Sequence, residues 1–263
     1  MKQNKALFQL LIQGCINDYG GEYGEPKKVF DEVERCDVGN VQGYFGYLKS
    51  DPDTLYNITR GTDEKFDWRQ NFRFRKPNIE KWLKNHKNVQ LEIPYANLGS
   101  DIRTHLGFTI DHFKRRDKIL RKIEEFKKYC GTGHSKGGGQ ETMNVLDGQA
   151  NFPDKEYISI TFASPRVGNE AFQISYDKRV PRTIRVVCRE DYITKVPLEI
   201  QGYRHVGTKL QLGWENPIFW IPVIRAFGSF FHYPQQYKNL IDRLPDDFEM
   251  ILQEGKMIVK KAA

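Results

Sequence analysis

Residues 128–139 read Lys128-Tyr129-Cys130-Gly131-Thr132-Gly133-His134-Ser135-Lys136-Gly137-Gly138-Gly139. Within them, Gly133-His134-Ser135-Lys136-Gly137 is a G-x-S-x-G. That pattern suits a strand that turns abruptly into a helix and lifts a serine hydroxyl clear of a sheet. A Cβ at either flanking glycine would clash in so tight a turn. The context agrees, with a short strand expected at 128–132 and a helix over 140–147. The strand is polar for its position (Lys127, Lys128, Tyr129, Cys130), so a short or partly exposed strand is expected. A lysine among glycines also suggests a phosphate loop, but the order G-x-x-x-x-G-K-[ST] is absent.

Outward from this turn, the chain alternates between the two regular structures. Residues 2–16 are expected to form an amphipathic helix, broken by Gly20-Gly21 and Gly24. Residues 41–48 and 54–60 alternate as strands, with Ser50-Asp51-Pro52-Asp53 as the turn between them. The clearest helix spans 108–128. Ile110, Phe113, Leu120, Ile123 and Phe126 make its apolar stripe, and Lys114, Arg115, Arg116, Lys118, Arg121 and Lys122 line the rest. Residues 156–163 and 183–188 are β-rich, and a short helix is expected near 235–243. Strands separated by helices predict an α/β domain with a largely parallel sheet flanked by helices.

Composition narrows the class. With 263 residues, the chain can bury a full core as a single domain over 1–263. Aromatic residues make up 13%, which argues against disorder. The net charge of +7 fits either an anionic partner or plain solubility. Cys15, Cys36, Cys130 and Cys188 form no C-x-x-C pair, which argues against a metal knuckle and excludes a dense disulfide framework, so reduced, partly buried thiols are expected. No ligand cluster points to a metal, and no cofactor is expected. No apolar run reaches the roughly 18–20 residues of a membrane span. Gln9 and Gln13 interrupt the apolar N-terminal stretch, so it reads as a helix face and not a signal, and the expected compartment is the cytoplasm.

A serine nucleophile needs a base, and the base needs an orienting carboxylate. On an elbow of this type they follow the serine in the order Asp or Glu, then His. Asp191 lies just past the β-rich run that ends at Cys188, where a strand end faces the crevice. Glu190 is its rival. Of the two later histidines, His232 sits after the turn-like Gly228-Ser229 and before Pro234. His205 falls mid-strand, so His232 is the better candidate base. His134 is on the elbow but should point away from Ser135. The oxyanion of the tetrahedral intermediate needs two preset N–H groups. Lys136 supplies one, and Thr62, after the strand ending at Arg60-Gly61, is the candidate for the other.

Together these segments resemble the class 3 lipase family, the fungal-lipase-like branch of the α/β-hydrolases. Arg60-Gly61-Thr62 resembles its R-G-[ST] turn, and Asp67-Trp68 with Asn71 its D-W-x-x-[ND]. His105-Leu106-Gly107-Phe108 resembles H-x-G-F, and Gly131 to Gly138 resembles T-G-H-S-L-G-G. Phe162 to Asn169 is similar to F-G-S-P-R-V-G-N, and Asp191 to Pro197 to D-x-V-x-x-x-P. Tyr203 to Gly207 resembles a segment whose histidine is not catalytic, and His232 with Tyr237 resembles H-x-x-x-x-Y. The match runs over about 41–243 in the family's order. It implies an α/β-hydrolase fold, a Ser135-Asp191-His232 triad, and hydrolysis of carboxylic esters of lipids without a cofactor. Two residues depart from the pattern: Lys136 stands where leucine is usual and Ala163 where glycine is. The Lys136 ammonium is expected either beside the site, favouring anionic substrates, or snorkelled to solvent.

The resemblance also implies a lid-like insertion over residues 72–104. Its cations and Trp82-Leu83 suit peripheral contact with an anionic lipid surface, or form an ordinary solvated helix. Phe219, Trp220 and Phe231 belong to a proline-broken aromatic stretch that suits an acyl pocket or the core. The expected substrate is an acylglycerol or a phospholipid. The rival readings are a non-catalytic lipid-binding module on the same fold and an acyltransferase using the same triad. Nucleic-acid binding lacks any recognition motif. Acyl length, head group and oligomeric state are not readable from the sequence.

Overall fold

The computed structural model describes residues 2–20, 25–61, 101–213, 230–253 and 256–262. The N-terminal part comprises β1 (Lys2–Asn4), α1 (Lys5–Asp18), β2 (Glu32–Arg35), β3 (Gly43–Leu48) and β4 (Asp51–Thr59). Then follow α2 (Leu106–Glu124), β5 (Lys128–His134), α3 (Lys136–Asn151), β6 (Glu156–Phe162), α4 (Glu170–Arg179), β7 (Thr183–Cys188) and β8 (Thr208–Leu212). The chain closes with α5 (Pro234–Ile241), β9 (Asp247–Gln253) and β10 (Lys256–Lys261).

A seven-stranded sheet runs β2-β3-β4-β5-β6-β7-β8. β2, β3 and β4 pair antiparallel, and from β4 to β8 every neighbour is parallel. The parallel strands are buried on both faces, so alternate residues feed two cores. Tyr56, Ile58, Cys130, Ile160 and Phe162 pack with Phe8, Leu11 and Ile12 of α1 and Tyr237 and Ile241 of α5. Leu55, Tyr129 and Tyr157 pack on the opposite side with Ile119 and Ile123 of α2, Met143 and Leu146 of α3 and Phe172 and Tyr176 of α4. A small antiparallel sheet, β1-β9-β10, ties the two ends of the chain together. No described helix is long and apolar enough to cross a membrane.

Several expectations change. Lys2–Asn4 is a strand paired with Asp247–Glu249, so the first helix starts at Lys5. Asp51, Pro52 and Asp53 lie within β4 and not in the turn before it. The polar strand is neither short nor exposed, since β5 covers seven residues and only Lys128 faces solvent. The four cysteines are free and fully buried. On α2 the expected stripe is inverted in part, with Arg115 and Arg116 1% and 2% exposed and Ile110 36%. Buried carboxylates and carbonyls facing α2, described below, account for that inversion.

Candidate active site

The strand-to-helix turn places Ser135 between β5 and α3 with φ 60° and ψ −128°. A non-glycine residue with positive φ is strained, and strain of this kind clusters at functional sites. The neighbours make the turn obligatory. A Cβ at Gly133 would strike the Gly137 backbone, and one at Gly137 would strike the Thr59 carbonyl. The Ser135 amide donates to Phe162 O at 2.9 Å, and its carbonyl accepts from Gly138 N at 3.0 Å. Its hydroxyl is buried and makes no hydrogen bond among the described residues.

Asp191 follows the end of β7 and is fully buried. Its Oδ1 accepts from Ile193 N at 2.9 Å, and its Oδ2 accepts from Tyr237 OH at 2.7 Å. His232 Nδ1 bonds the same Oδ2 at 2.8 Å. An ionised carboxylate only accepts, so the proton sits on Nδ1 and Nε2 is left as the basic nitrogen. The rivals are elsewhere. Glu190 accepts from Cys188 Sγ at 3.1 Å, and His205 Nε2 bonds Thr194 O at 2.7 Å. Burial, together with Arg185 and Arg166, pushes the His205 imidazole down to about 2.

His134 joins the elbow to the His232 backbone. Its Nε2 donates to His232 O at 2.7 Å, and its Nδ1 accepts from Tyr19 OH at 3.1 Å. Burial, and then His232 beside it, hold the ring well below the ordinary imidazole range, so it stays neutral. Both ring nitrogens are thus taken up by hydrogen bonds. Tyr19 carries no sequence signal at all, because its partner lies far along the chain.

Gly61 closes the site from the β4 side. A Cβ built on it would lie 3.5 Å from Ser135 Cβ and 2.9 Å from His134 O. The Arg60–Gly61 backbone therefore runs directly against the Ser135 turn. Thr62 follows immediately and lies outside the described residues, as do Trp82, Leu83, Phe219, Trp220 and the 72–104 insertion up to residue 100. Lys136 opens α3, where leading N–H groups have no intrahelical acceptor. Its ammonium does not snorkel to solvent. It pairs with Asp111 Oδ2 of α2 at 2.6 Å, an oxygen that also accepts from Gln140 Nε2 at 2.9 Å. Phe231 is half-buried and borders a cavity of about 270 Å³ with Cys188, Glu190, Gln236 and Leu240. Among the described residues no group of three or more His, Cys, Asp or Glu side chains gathers as metal ligands.

The chain is similar to known proteins in both sequence and fold. The family model described as lipase (class 3) matches residues 56–201. A secreted mono- and diacylglycerol lipase, LIP4 of Malassezia restricta, is 28% identical over 123 residues, covering 44% of this chain and 40% of its own. The chloroplastic phospholipase A(1) DAD1 of Arabidopsis thaliana is 27% identical over 136 residues, covering 44% of this chain and 30% of its own. The chain thus spans well under half the length of these curated relatives. The crystal structure of a lipase from Rhizopus microsporus var. chinensis superposes with a TM-score of 0.62 at 18% identity, over 81% of this chain and 75% of that one. The shared architecture is the α/β-hydrolase fold.

Proposed function

The chain belongs to the class 3 lipase family, and on that premise we propose that it hydrolyses carboxylic esters of lipids, acylglycerols or glycerophospholipids, through Ser135, His232 and Asp191. The observation that carries the reading is the buried Asp191–His232 bond at 2.8 Å, with the His232 carbonyl tied to His134, the residue before a serine held at positive φ. Both substrate classes have support in the names of relatives, one a mono- and diacylglycerol lipase and the other a phospholipase A(1).

In the proposed cycle His232 Nε2 takes the Ser135 proton as Oγ bonds the ester carbonyl carbon. The carbonyl π electrons move to oxygen, and the backbone N–H groups of Lys136 and Thr62 receive the oxyanion. Collapse of the intermediate breaks the carbon–alkoxy bond, and His232 gives its proton to the leaving alcohol. Water then gives a proton to His232 as its oxygen attacks the acyl carbon, and collapse returns that proton to Ser135 and releases the carboxylic acid. Asp191 holds the Nδ1–H tautomer throughout and offsets the imidazolium charge. Tyr237 and Ile193 keep Asp191 in line.

The test is hydrolysis of p-nitrophenyl esters from short to long acyl chains by wild type and Ser135→Ala. The expected result is loss of activity by a factor of about 10³ or more in the variant. Equal activity in the two proteins would discard Ser135 as the nucleophile. No activity in wild type on any ester, soluble or dispersed as lipid, would favour a binding module on the same fold.

A further inference from the structure

Beneath the elbow, and away from the triad, lies a buried charged cluster. Glu141, on α3, is fully buried. Four donors converge on its carboxylate: Tyr129 OH at 2.7 Å, Asn57 Nδ2 at 2.6 Å, Thr59 Oγ1 at 3.1 Å and Asn144 Nδ2 at 3.1 Å. Thr59 Oγ1 lies within 3.3 to 3.4 Å of donors on Asn57, Asn144 and Arg115, so its single hydrogen is committed to Glu141. β5 makes room for the carboxylate with Gly131, where a Cβ would fall on it. Arg115, from α2, completes the set, donating to Asn57 Oδ1 at 3.4 Å and to Gln42 O at 3.2 Å. Gln42 O in turn accepts from Arg60 N at 3.1 Å.

The direction of these bonds is informative. Asn57 and Thr59 close β4, and the next residues are the Arg60–Gly61 turn that lies against Ser135. Glu141 is on the helix that Ser135 starts. The carboxylate therefore bridges the strand that supplies one side of the oxyanion site and the helix that supplies the other. Stability alone is a poor reason for such a cluster, because well-packed apolar residues of equal volume usually serve a core as well or better. Directed hydrogen bonds set direction as well as distance, and can hold a strand end to within about 0.5 Å of one position.

We propose that Glu141 is a positioning residue for ester hydrolysis: through Thr59 and Asn57 it fixes the end of β4, and with it the Arg60–Gly61 turn, against the helix that carries Ser135. The proposal rests on the hydrolase reading above. It assigns Glu141 no contact with substrate. Its effect falls on the placement of the oxyanion donors and hence on kcat more than on KM.

The experiment measures kcat and KM for a p-nitrophenyl ester in wild type, Glu141→Gln, Thr59→Val and Thr59→Ser. Each preparation is counted by the p-nitrophenolate released when a p-nitrophenyl phosphonate labels the nucleophile. In Glu141→Gln and Thr59→Val, kcat per titrated serine is expected to fall about 10- to 100-fold, with KM within about threefold. Thr59→Ser keeps the hydroxyl and is expected to recover most of the Thr59→Val loss. In the double variant Glu141→Gln/Thr59→Val the losses should fall well short of multiplying, because both remove one bridge. Wild-type kcat per titrated serine in Glu141→Gln and Thr59→Val, whatever their melting temperatures, would overturn the proposal. So would equal losses in Thr59→Val and Thr59→Ser, which also decide the matter if Glu141→Gln fails to fold. A wild-type protein inert to both phosphonate and ester would sink the hydrolase reading instead, and this proposal with it.

Discussion

Gly61→Ala adds one methyl group beside Ser135 and tests where the Arg60–Gly61 turn sits. The new Cβ would lie 2.9 Å from His134 O, where ordinary contact begins at 3.4 Å, and it would press harder still on the Tyr19 hydroxyl. The tyrosine can swing aside, but the His134 carbonyl belongs to the elbow and cannot. The turn, which the proposed oxyanion donor Thr62 follows in sequence, must therefore retreat from Ser135 by about half an ångström. A 1 Å misplacement costs about 100-fold in rate, so a displacement half as large is expected to lower kcat about 10-fold and to leave KM nearly unchanged. Complete loss of an oxyanion donor, about 100- to 1000-fold, sets the upper limit. The assay is steady-state p-nitrophenyl ester hydrolysis per phosphonate-titrated serine, with melting followed by circular dichroism. Adding Tyr19→Phe removes the nearer obstacle but not the carbonyl, so Gly61→Ala/Tyr19→Phe should recover only part of the loss relative to Tyr19→Phe alone. Wild-type kcat per serine in Gly61→Ala, with or without a lower melting temperature, would refute the placement of this turn against the nucleophile.

Other consequences follow from the buried partners. Tyr237→Phe takes a donor from Asp191 and an acceptor from the Cys188 amide; hydrogen bonds to charged groups are worth about 1.5–3 kcal/mol, so a calorimetric melting drop of about 5–10 °C is expected. Its kcat should fall as Asp191 loses a restraint, and unchanged melting would contradict the geometry. Asp147 is buried, which pushes its carboxyl up, but His112 and Arg116 outweigh burial and hold it below the usual range. Its share of stability is thus present above about pH 4 and is lost as pH falls through the depressed folded value. Asp147→Asn should cost about 3–5 kcal/mol in urea denaturation at neutral pH and progressively less below about pH 4. Burial pushes Glu141 the other way, up to about 7, with Tyr129, Asn144, Thr59 and Arg115 opposing it. Its native state holds the proton more tightly, so its contribution is fully present below about pH 4.5 and is lost by about pH 7, a change on the order of 3 kcal/mol. Wild type should therefore lose stability relative to Glu141→Gln across that window, and a constant difference in denaturation midpoints would contradict this.

The sequence announces the elbow because its requirement is steric and local. Only glycine fits where Gly133 meets Gly137 and where Gly137 meets the Thr59 carbonyl, and so much glycine around one serine is conspicuous in a chain. Asp191 is readable less directly, as a carboxylate three residues past the end of the wholly buried β7, and the structure brings His232 to it. What escapes the sequence is whatever depends on distant partners. Lys2 pairs with Glu249 across nearly the whole chain, and no three-residue strand carries a periodicity strong enough to announce that. α4 escapes for another reason: Ile174 on it is 65% exposed, so its apolar residues do not fall on one face.

The misreading of α2 is the most instructive. Arg115 and Arg116 look like a solvated face because hydrophobic periodicity scores each residue against its own helix. Their partners are on other elements: Asp147 holds Arg116 at 2.5 Å from α3, while Asn57, Thr59 and Gln42 hold Arg115 from the β4 side. Buried charges persist only when paired and hydrogen-bonded, so each buried arginine on α2 implies polar acceptors on the surface it faces. The same logic accounts for the polar β5, whose Tyr129 points its hydroxyl at Glu141 instead of lying in solvent. A helix in which two cations refuse the expected face, a strand too polar for its central place and a glutamate six residues past the nucleophile are thus three signs of one buried polar layer. That layer meets the Ser135 end of the sheet at Thr59, one residue before the turn that lies against Ser135.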